Sequence, residues 1–331
     1  MKALIENTWY KGGWLQWLLW PLSWLFIAIA ASRRLAFRLG IIKPVALDLP
    51  VIIVGNISIG GAGKTPMVLH LIQLCQALGL RPGVVSRGYG GCYQGDYHWV
   101  KASDTAQWVG DEPKLIHART QVPMVVASKR GLAAKLLQDS GLVDVIIADD
   151  GLQHYALSRD IELVLVDGER RFGNGLRIPA GPLREGVNRL EEVDAVICNG
   201  GKPKPGEFAM QLQAGPLQSL TDSALIDTTQ PIVAMAGIGN PQRFADALIG
   251  QGYSLEAFYP LSDHQAMEQQ TLAPMLAHDR ALVMTEKDAV KCNQIQWPEG
   301  AQVYWQPVNA QLPREFDELI EQKLRKLLNG I

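Results

Sequence analysis

The stretch Val51-Ile-Ile-Val-Gly-Asn-Ile-Ser-Ile-Gly-Gly-Ala-Gly-Lys-Thr-Pro66 constrains this chain more than any other. An apolar, β-branched run feeds a glycine-rich turn that ends in Gly63-Lys64-Thr65 and opens a helix. Small residues at Gly60, Gly61, Ala62 and Gly63 let consecutive backbone N–H groups converge on an anion, with the positive end of the helix dipole behind them. The cradle spans Ser58, Ile59, Gly60, Gly61, Ala62, Gly63, Lys64 and Thr65. Lys64 is placed to reach the β- and γ-phosphates of a nucleotide, and the Thr65 hydroxyl to bind Mg²⁺. The pattern G-x-x-x-x-G-K-[ST] is broken only at its first position, where Ser58 replaces glycine. Beyond Lys64, Met67, Val68, Leu71, Ile72, Cys75 and Leu78 recur at helical spacing, and Gly79 is a plausible end to that helix.

The 331 residues suffice for two domains, and a net charge of −2 gives no case for nucleic acid. Charge is uneven, however: residues 1–50 carry six Lys/Arg against Glu6 and Asp48. The basic end is also the hydrophobic end. From Trp14 to Ala31 the only polar side chains are Gln16 and Ser23, and Arg33, Arg34, Arg38 and Lys43 follow. A helix of this length measures about 27 Å, just short of a bilayer's hydrocarbon core. It also carries Pro21, a source of kinks, and Trp14, Trp17, Trp20 and Trp24, which favour the headgroup boundary. A helix dipping into one leaflet is therefore preferred to a full span or a buried core helix, and the trailing arginines put the downstream domain on the cytoplasmic side. The long apolar run without a small-x-small exit argues against a cleaved signal peptide. Cys75, Cys92, Cys198 and Cys292 form no C-x-x-C pair, which suits a reducing compartment and excludes a zinc site of that type.

Strand and helix signals then alternate, which implies an α/β fold: a P-loop NTPase-like, mainly parallel sheet with flanking helices. Strands are expected at 81–86, 122–127, 143–149, 161–167 and 194–199, with a helix over 130–139. Arg87 follows the first of these and is a possible anion clamp. The strand from Val143 ends in Asp149-Asp150, as a Walker B segment does, and a cation such as Mg²⁺ relieves the repulsion between two such acids. Asp111-Glu112 before Pro113 has, on spacing alone, the form of an ordinary helix start. The segment 168–189 holds Arg170, Arg171, Arg177, Arg184 and Arg189, more guanidinium groups than a connection needs, and is expected to be a lid or a docking surface for an anionic substrate. The expected organisation is an N-terminal membrane-associated helix and basic flank (1–45), a P-loop core (46–200), a linker (201–230) and a smaller C-terminal α/β domain (231–331). His264, taken singly, is more often a surface histidine than a catalyst.

Taken together, the motifs resemble the tetraacyldisaccharide 4′-kinases of Gram-negative bacteria over nearly the whole chain. The resemblance rests on residues 54–66, Ser86-Arg-Gly-Tyr-Gly90, Gly110-Asp-Glu-Pro113, Ala148-Asp-Asp-Gly-Leu-Gln153, Pro182-Leu-Arg-Glu-Gly186, Asp263-His264 and Thr285-Glu-Lys-Asp288. It implies transfer of the γ-phosphoryl of ATP to the 4′-hydroxyl of a tetraacyldisaccharide 1-phosphate, a lipid A precursor. The enzyme then works on a lipid substrate at the cytoplasmic face of the inner membrane, with no obligate protein partner. It also implies that Lys64 holds the phosphates, that Thr65 with Asp149 or Asp150 holds Mg²⁺, and that Asp111 is the candidate general base with His264 as partner. Glu112, Gln153, Arg184 and Glu185 match further site positions. Closure of the smaller domain on ATP, excluding water, is a corollary. The competing reading is a membrane-recruited ATPase or GTPase switch acting on a protein partner; no Asn-Lys-x-Asp guanine motif is present to support it. A purely structural anchored module leaves the phosphate and metal motifs unexplained.

Overall fold

In a computed structural model of the chain, residues 2–221, 226, 230–263, 265–277, 280–292 and 294–329 are described. The chain begins with α1 (Lys2–Lys11), α2 (Leu15–Arg38), β1 (Val51–Gly55), α3 (Lys64–Ala77), β2 (Pro82–Ser86), β3 (Tyr97–Trp99), α4 (Ala106–Val109) and α5 (Asp111–Thr120). It continues through β4 (Met124–Ala127), α6 (Arg130–Asp139), β5 (Val145–Asp149), β6 (Ile161–Asp167), a 3-10 turn (Val187–Glu192), β7 (Ala195–Asn199), β8 (Glu207–Ala214) and β9 (Gln218–Ser219). It closes with β10 (Ile232–Ala236), α7 (Pro241–Gly250), β11 (Leu255–Pro260), α8 (Gln269–Leu276), β12 (Leu282–Thr285), α9 (Glu286–Ala289), β13 (Val303–Gln306), β14 (Val308–Gln311) and α10 (Arg314–Asn329).

Two compact units result: one of residues 1–87, 122–212 and 310–331, the other of residues 88–121 and 213–309. The insertion 88–121 thus clusters with the C-terminal elements, and the last helix with the N-terminal ones. The stretch 201–230, whose weak periodicity suggested a linker, contains β8 and β9.

In the first unit the strands run in the order β8-β7-β6-β1-β5-β2-β4, and every neighbouring pair is parallel. Buried on both faces, such strands need continuous apolar runs, and Val51, Ile52, Ile53 and Val54 of the central β1 are wholly buried. The chain leaves β1 for β2 on one side and later returns to β6 on the other, so β1 ends at a topological switch point, where open α/β sheets bind ligands. Met67, Val68, Leu71, Ile72 and Cys75 of α3 are buried, as their spacing predicts. The amphipathic α10, not foreseen from the sequence, buries Phe316, Ile320 and Leu324 one turn apart. Phe316 meets Phe208 edge to face at 5.4 Å.

The helix α2 is the exception to burial. It is 24 residues long, includes Pro21, and is apolar enough by length and composition to cross a membrane, with only 6% of its apolar window buried. Trp14, Trp17, Leu18, Trp24, Leu25 and Ile29 are all exposed, whereas a core helix would hide them. Such a contiguous apolar surface marks a membrane or partner interface.

The second unit holds the sheet β11-β10-β12-β13-β9, parallel except for the β13–β9 pair. Alternation along β10 fills two cores: Val233 and Met235 pack with Leu272 and Met275 of α8, while Ile232 and Ala234 pack with Phe244 and Leu248 of α7.

Candidate active site

The first unit assembles the phosphate loop at the carboxyl edge of β1. Gly63 caps α3 at φ +89°, and a Cβ there would run into the Asn199 amide and the Met210 methyl, so glycine is required twice over. Asn199, at the end of β7, donates from Nδ2 to the Ala62 carbonyl at 3.1 Å. Ser58, the departure from the motif, is buried and bridges to Leu183, and the Ile59 N–H donates to the Pro182 carbonyl at 2.8 Å. The loop entry is therefore shaped by the segment 182–184 in place of a glycine. A Cβ at Gly60 or Gly61 would meet nothing within 4 Å, so the loop has open space beside it.

Lys64 Nζ donates to Asn56 Oδ1 at 3.3 Å and lies 3.6 Å from Asp150 Oδ1. Asp149, at the end of β5, is fully buried and accepts from Ser86 Oγ at 3.2 Å. Asp150 follows at φ +48°, a conformation that turns the chain sharply and gives the two acids different neighbours. Arg184 Nη1 donates to both Asp150 oxygens at 3.1 and 3.2 Å and to Gln153 Oε1 at 3.3 Å. Burial raises the Asp150 pKa, but Lys64 and Arg184 outweigh it and bring it down to about 2. Gln153 Nε2 donates to the Asn56 carbonyl at 3.1 Å and to Glu185 Oε1 at 2.9 Å, and Tyr155 donates to Glu185 Oε2 at 2.6 Å. Burial and then Glu185 push the Tyr155 pKa to about 12, so the phenol keeps the proton it donates.

The candidate metal donors are Thr65, Asp149 and Asp150: one hydroxyl and two carboxylates, all hard oxygens. Among the described residues no three His, Cys, Asp or Glu side chains form a metal cage. Mg²⁺ fits such a sparse set, because it keeps several waters and takes further ligands from substrate phosphates.

Arg87 follows β2 directly. Together with Arg33 and Arg130 it acts on His154, whose pKa is pushed down to about 4 by burial first and by these three cations after it. His154 is therefore neutral at pH 7. The other arginines of 168–189 depart from the expected free docking surface. Arg171 pairs with Glu207 at 2.6 Å, Arg189 with Glu162 at 2.5 Å, and Arg170 lies over the Tyr10 ring at 5.5 Å. These contacts hold the segment down, and Arg170 and Arg171 still line a cavity together with Ser58, Ile59, Gly60, Gly61 and Ala62 of the phosphate loop.

In the second unit Asp111 and Glu112 open α5, and Asp111 is only 9% exposed. Lys287 on α9 donates to Asp263 Oδ1 at 2.9 Å and lies 3.7 Å from Glu112 Oε1. Burial works against its charge, but Glu112, Asp263 and Asp111 outweigh that and raise its pKa. His264 lies outside the described residues.

The profile of the tetraacyldisaccharide-1-P 4′-kinase family matches residues 15–325. The chain belongs to this family. A tetraacyldisaccharide 4′-kinase of Shewanella baltica is 52% identical over 99% of the chain and 96% of the relative, and one of Shewanella denitrificans is 51% identical over 99% of both. A crystal structure of LpxK from Aquifex aeolicus in complex with ATP superposes with a TM-score of 0.73 at 26% identity, covering 94% of this chain and 99% of that one. Within this family member, sequence reasoning missed Asn56, Ser86, Tyr155 and Lys287. Asn56 had a signal, an amide directly after a wholly apolar strand; Lys287 stood inside a motif but had no assigned contact.

Proposed function

We propose that the chain transfers the γ-phosphoryl group of ATP to the 4′-hydroxyl of a tetraacyldisaccharide 1-phosphate, working from the cytoplasmic face of the inner membrane. The observation that carries this reading is the convergence of Lys64, Asp150 and Arg184 at the end of β1, beside an open glycine loop, in a member of this kinase family. Lys64 is drawn towards the Asp150 carboxylate and bonded to Asn56, which supports its reading as the cation that meets phosphate charge in the transition state. Thr65 with Asp149 or Asp150 would hold Mg²⁺, which neutralises charge between the β- and γ-phosphates. Arg184 competes with that cation for Asp150, keeping the carboxylate ionised beforehand. Asp111 is the group read as accepting the proton of the attacking hydroxyl, with His264 as its partner. Arg33 and Arg87 are cations suited to a phosphorylated headgroup, and the exposed tryptophans and leucines of α2 suit a protein seated on the bilayer that holds the acyl chains.

The test uses the full chain in detergent with Mg²⁺, γ-labelled ATP and tetraacyldisaccharide 1-phosphate. Label enters the lipid phase, and Lys64→Ala lowers its rate by about 10²- to 10³-fold, the usual loss on removing one stabiliser of transition-state charge. Release of free phosphate at one rate with or without lipid, and none in the lipid, refutes the kinase and favours a nucleotide switch.

A further inference from the structure

Ser23 is the anomaly of α2. In a helix that buries no apolar side chain, Ser23 is 2% exposed. It donates to the Arg177 carbonyl at 2.9 Å, which also takes the Gly181 N–H, and accepts from the Ala180 N–H at 3.1 Å, giving that buried donor its partner. Neighbouring contacts repeat the arrangement. Trp9 Nε1 donates to the Pro179 carbonyl at 2.9 Å. Asn174 Nδ2 faces Gln16 Oε1 at 3.2 Å and the Ala180 carbonyl at 2.9 Å. Residues 174–180 are therefore held by side chains of α1 and α2.

The same segment then folds back on itself, Ile178 N–H to Leu183 carbonyl at 2.9 Å and Leu183 N–H to Leu176 carbonyl at 3.1 Å. Its far end grips the phosphate loop. The Ile59 N–H donates to Pro182, the Arg184 N–H donates to the Ile57 carbonyl at 2.7 Å, and the Arg184 guanidinium holds Asp150. Residues 174–184 form a strap with the bilayer-facing helices on one side and the phosphate loop with a metal-type carboxylate on the other. The strap belongs to neither a helix nor a strand, so its position is set by what it is bonded to at each end.

We propose that Ser23 is a positioning residue for phosphoryl transfer: it pins the strap to α2, so that seating α2 in a lipid surface sets the phosphate-loop entry and the Arg184–Asp150 contact. The proposal rests on the reading of the chain as an ATP-using enzyme at a membrane. A lipid surface favours the arrangement in which the apolar face of α2 is buried, and only a ligand with such a preference can shift a structure between states. Fixing the strap then lowers the cost of ordering the loop around ATP. The partner chemistry is a bilayer, and the site that senses it is a hydroxyl facing away from it.

The test uses the full chain on vesicles of phosphatidylethanolamine and phosphatidylglycerol, comparing wild type with Ser23→Ala. Three quantities are read: vesicle partition by tryptophan fluorescence, affinity for a non-hydrolysable ATP analogue with Mg²⁺, and kcat with KM for ATP and for the lipid acceptor. Ser23→Ala partitions as wild type does, binds the analogue about tenfold more weakly and raises KM for ATP with KM for lipid unchanged, a loss of the size expected when one buried backbone N–H loses its partner. Trp9→Phe, which removes one strap bond while keeping the ring, moves the same parameters about threefold and serves if Ser23→Ala does not fold. Wild-type affinity for the analogue in both variants overturns the proposal, as does an equal loss of partition, ATP affinity and lipid KM. If wild type puts no label into lipid, the kinase reading fails, while the analogue affinities still decide the role of the strap.

Discussion

Replacing Arg184 by methionine removes one of the three cations, with Lys64 and Arg130, that hold Asp150 ionised, and the cost is readable as a function of pH. At about 1.4 kcal/mol for each tenfold in proton affinity, a fall from 3.8 to about 2 corresponds to roughly 2.5 kcal/mol of native-state stability at neutral pH. Lys64 at 3.6 Å shares that effect, and about 30% of the Asp150 side chain is exposed to screening water. The share of Arg184 is therefore about 1 kcal/mol. The sign follows from the direction: a carboxylate whose folded pKa is depressed adds stability above its unfolded pKa and loses it as pH falls through the folded one. Urea unfolding of wild type and Arg184→Met, followed from pH 7 to 2, gives a gap of about 1 kcal/mol down to pH 5 that closes towards pH 2. On an Asp150→Asn background the gap shrinks to what the Gln153 bond contributes. A gap constant from pH 5 to 2, or one that widens in acid, refutes the electrostatic account.

Lys287→Met leaves Asp263 and Glu112 facing each other without their shared cation; kcat falls about tenfold by the labelled-lipid assay, a little over 1 kcal/mol of lost positioning, and Lys287→Arg keeps most of the rate. Because the Lys287 pKa is raised, its stabilisation is complete at neutral pH and is lost as pH rises through the folded value, so thermal unfolding of Lys287→Met and wild type converges in alkali. Exchanging Trp17, Trp20 and Trp24 together for serine weakens vesicle partition by about 10²-fold or more in a flotation assay, since each exposed ring contributes on the order of 1 kcal/mol or more to burial in lipid.

The central sheet was legible because β1, α3 and β5 obey short-range rules: an apolar run, a 3.6-residue stripe and a strand ending in acids. The strap was not. The five arginines of the surrounding segment 168–189 suggested a surface for substrate because spacing carries no information about partners such as Glu207 of Arg171 and Glu162 of Arg189, each many residues distant. The strands β8 and β9 escaped for a related reason. Glu207–Ala214 alternates buried and exposed residues only loosely among Gln and Glu, and its pairing with β7 supplies what its composition lacks. The residues around Asp150 were recognisable as types, but the division of labour between Asp149 and Asp150 depends on a single left-handed backbone step that no motif records.

The chain passes between the two compact units four times, at 87/88, 121/122, 212/213 and 309/310. The phosphate loop leaves the ribosome early, yet the helix that covers its unit with Phe316, Ile320 and Leu324 is made last. A nascent chain stalled or cut near residue 310 therefore carries a complete nucleotide motif on an unfinished core, together with the exposed apolar helix α2. Synthesis itself is the interval in which this protein is most open to chaperones and proteases, and loss of its final twenty residues should act as loss of the whole enzyme.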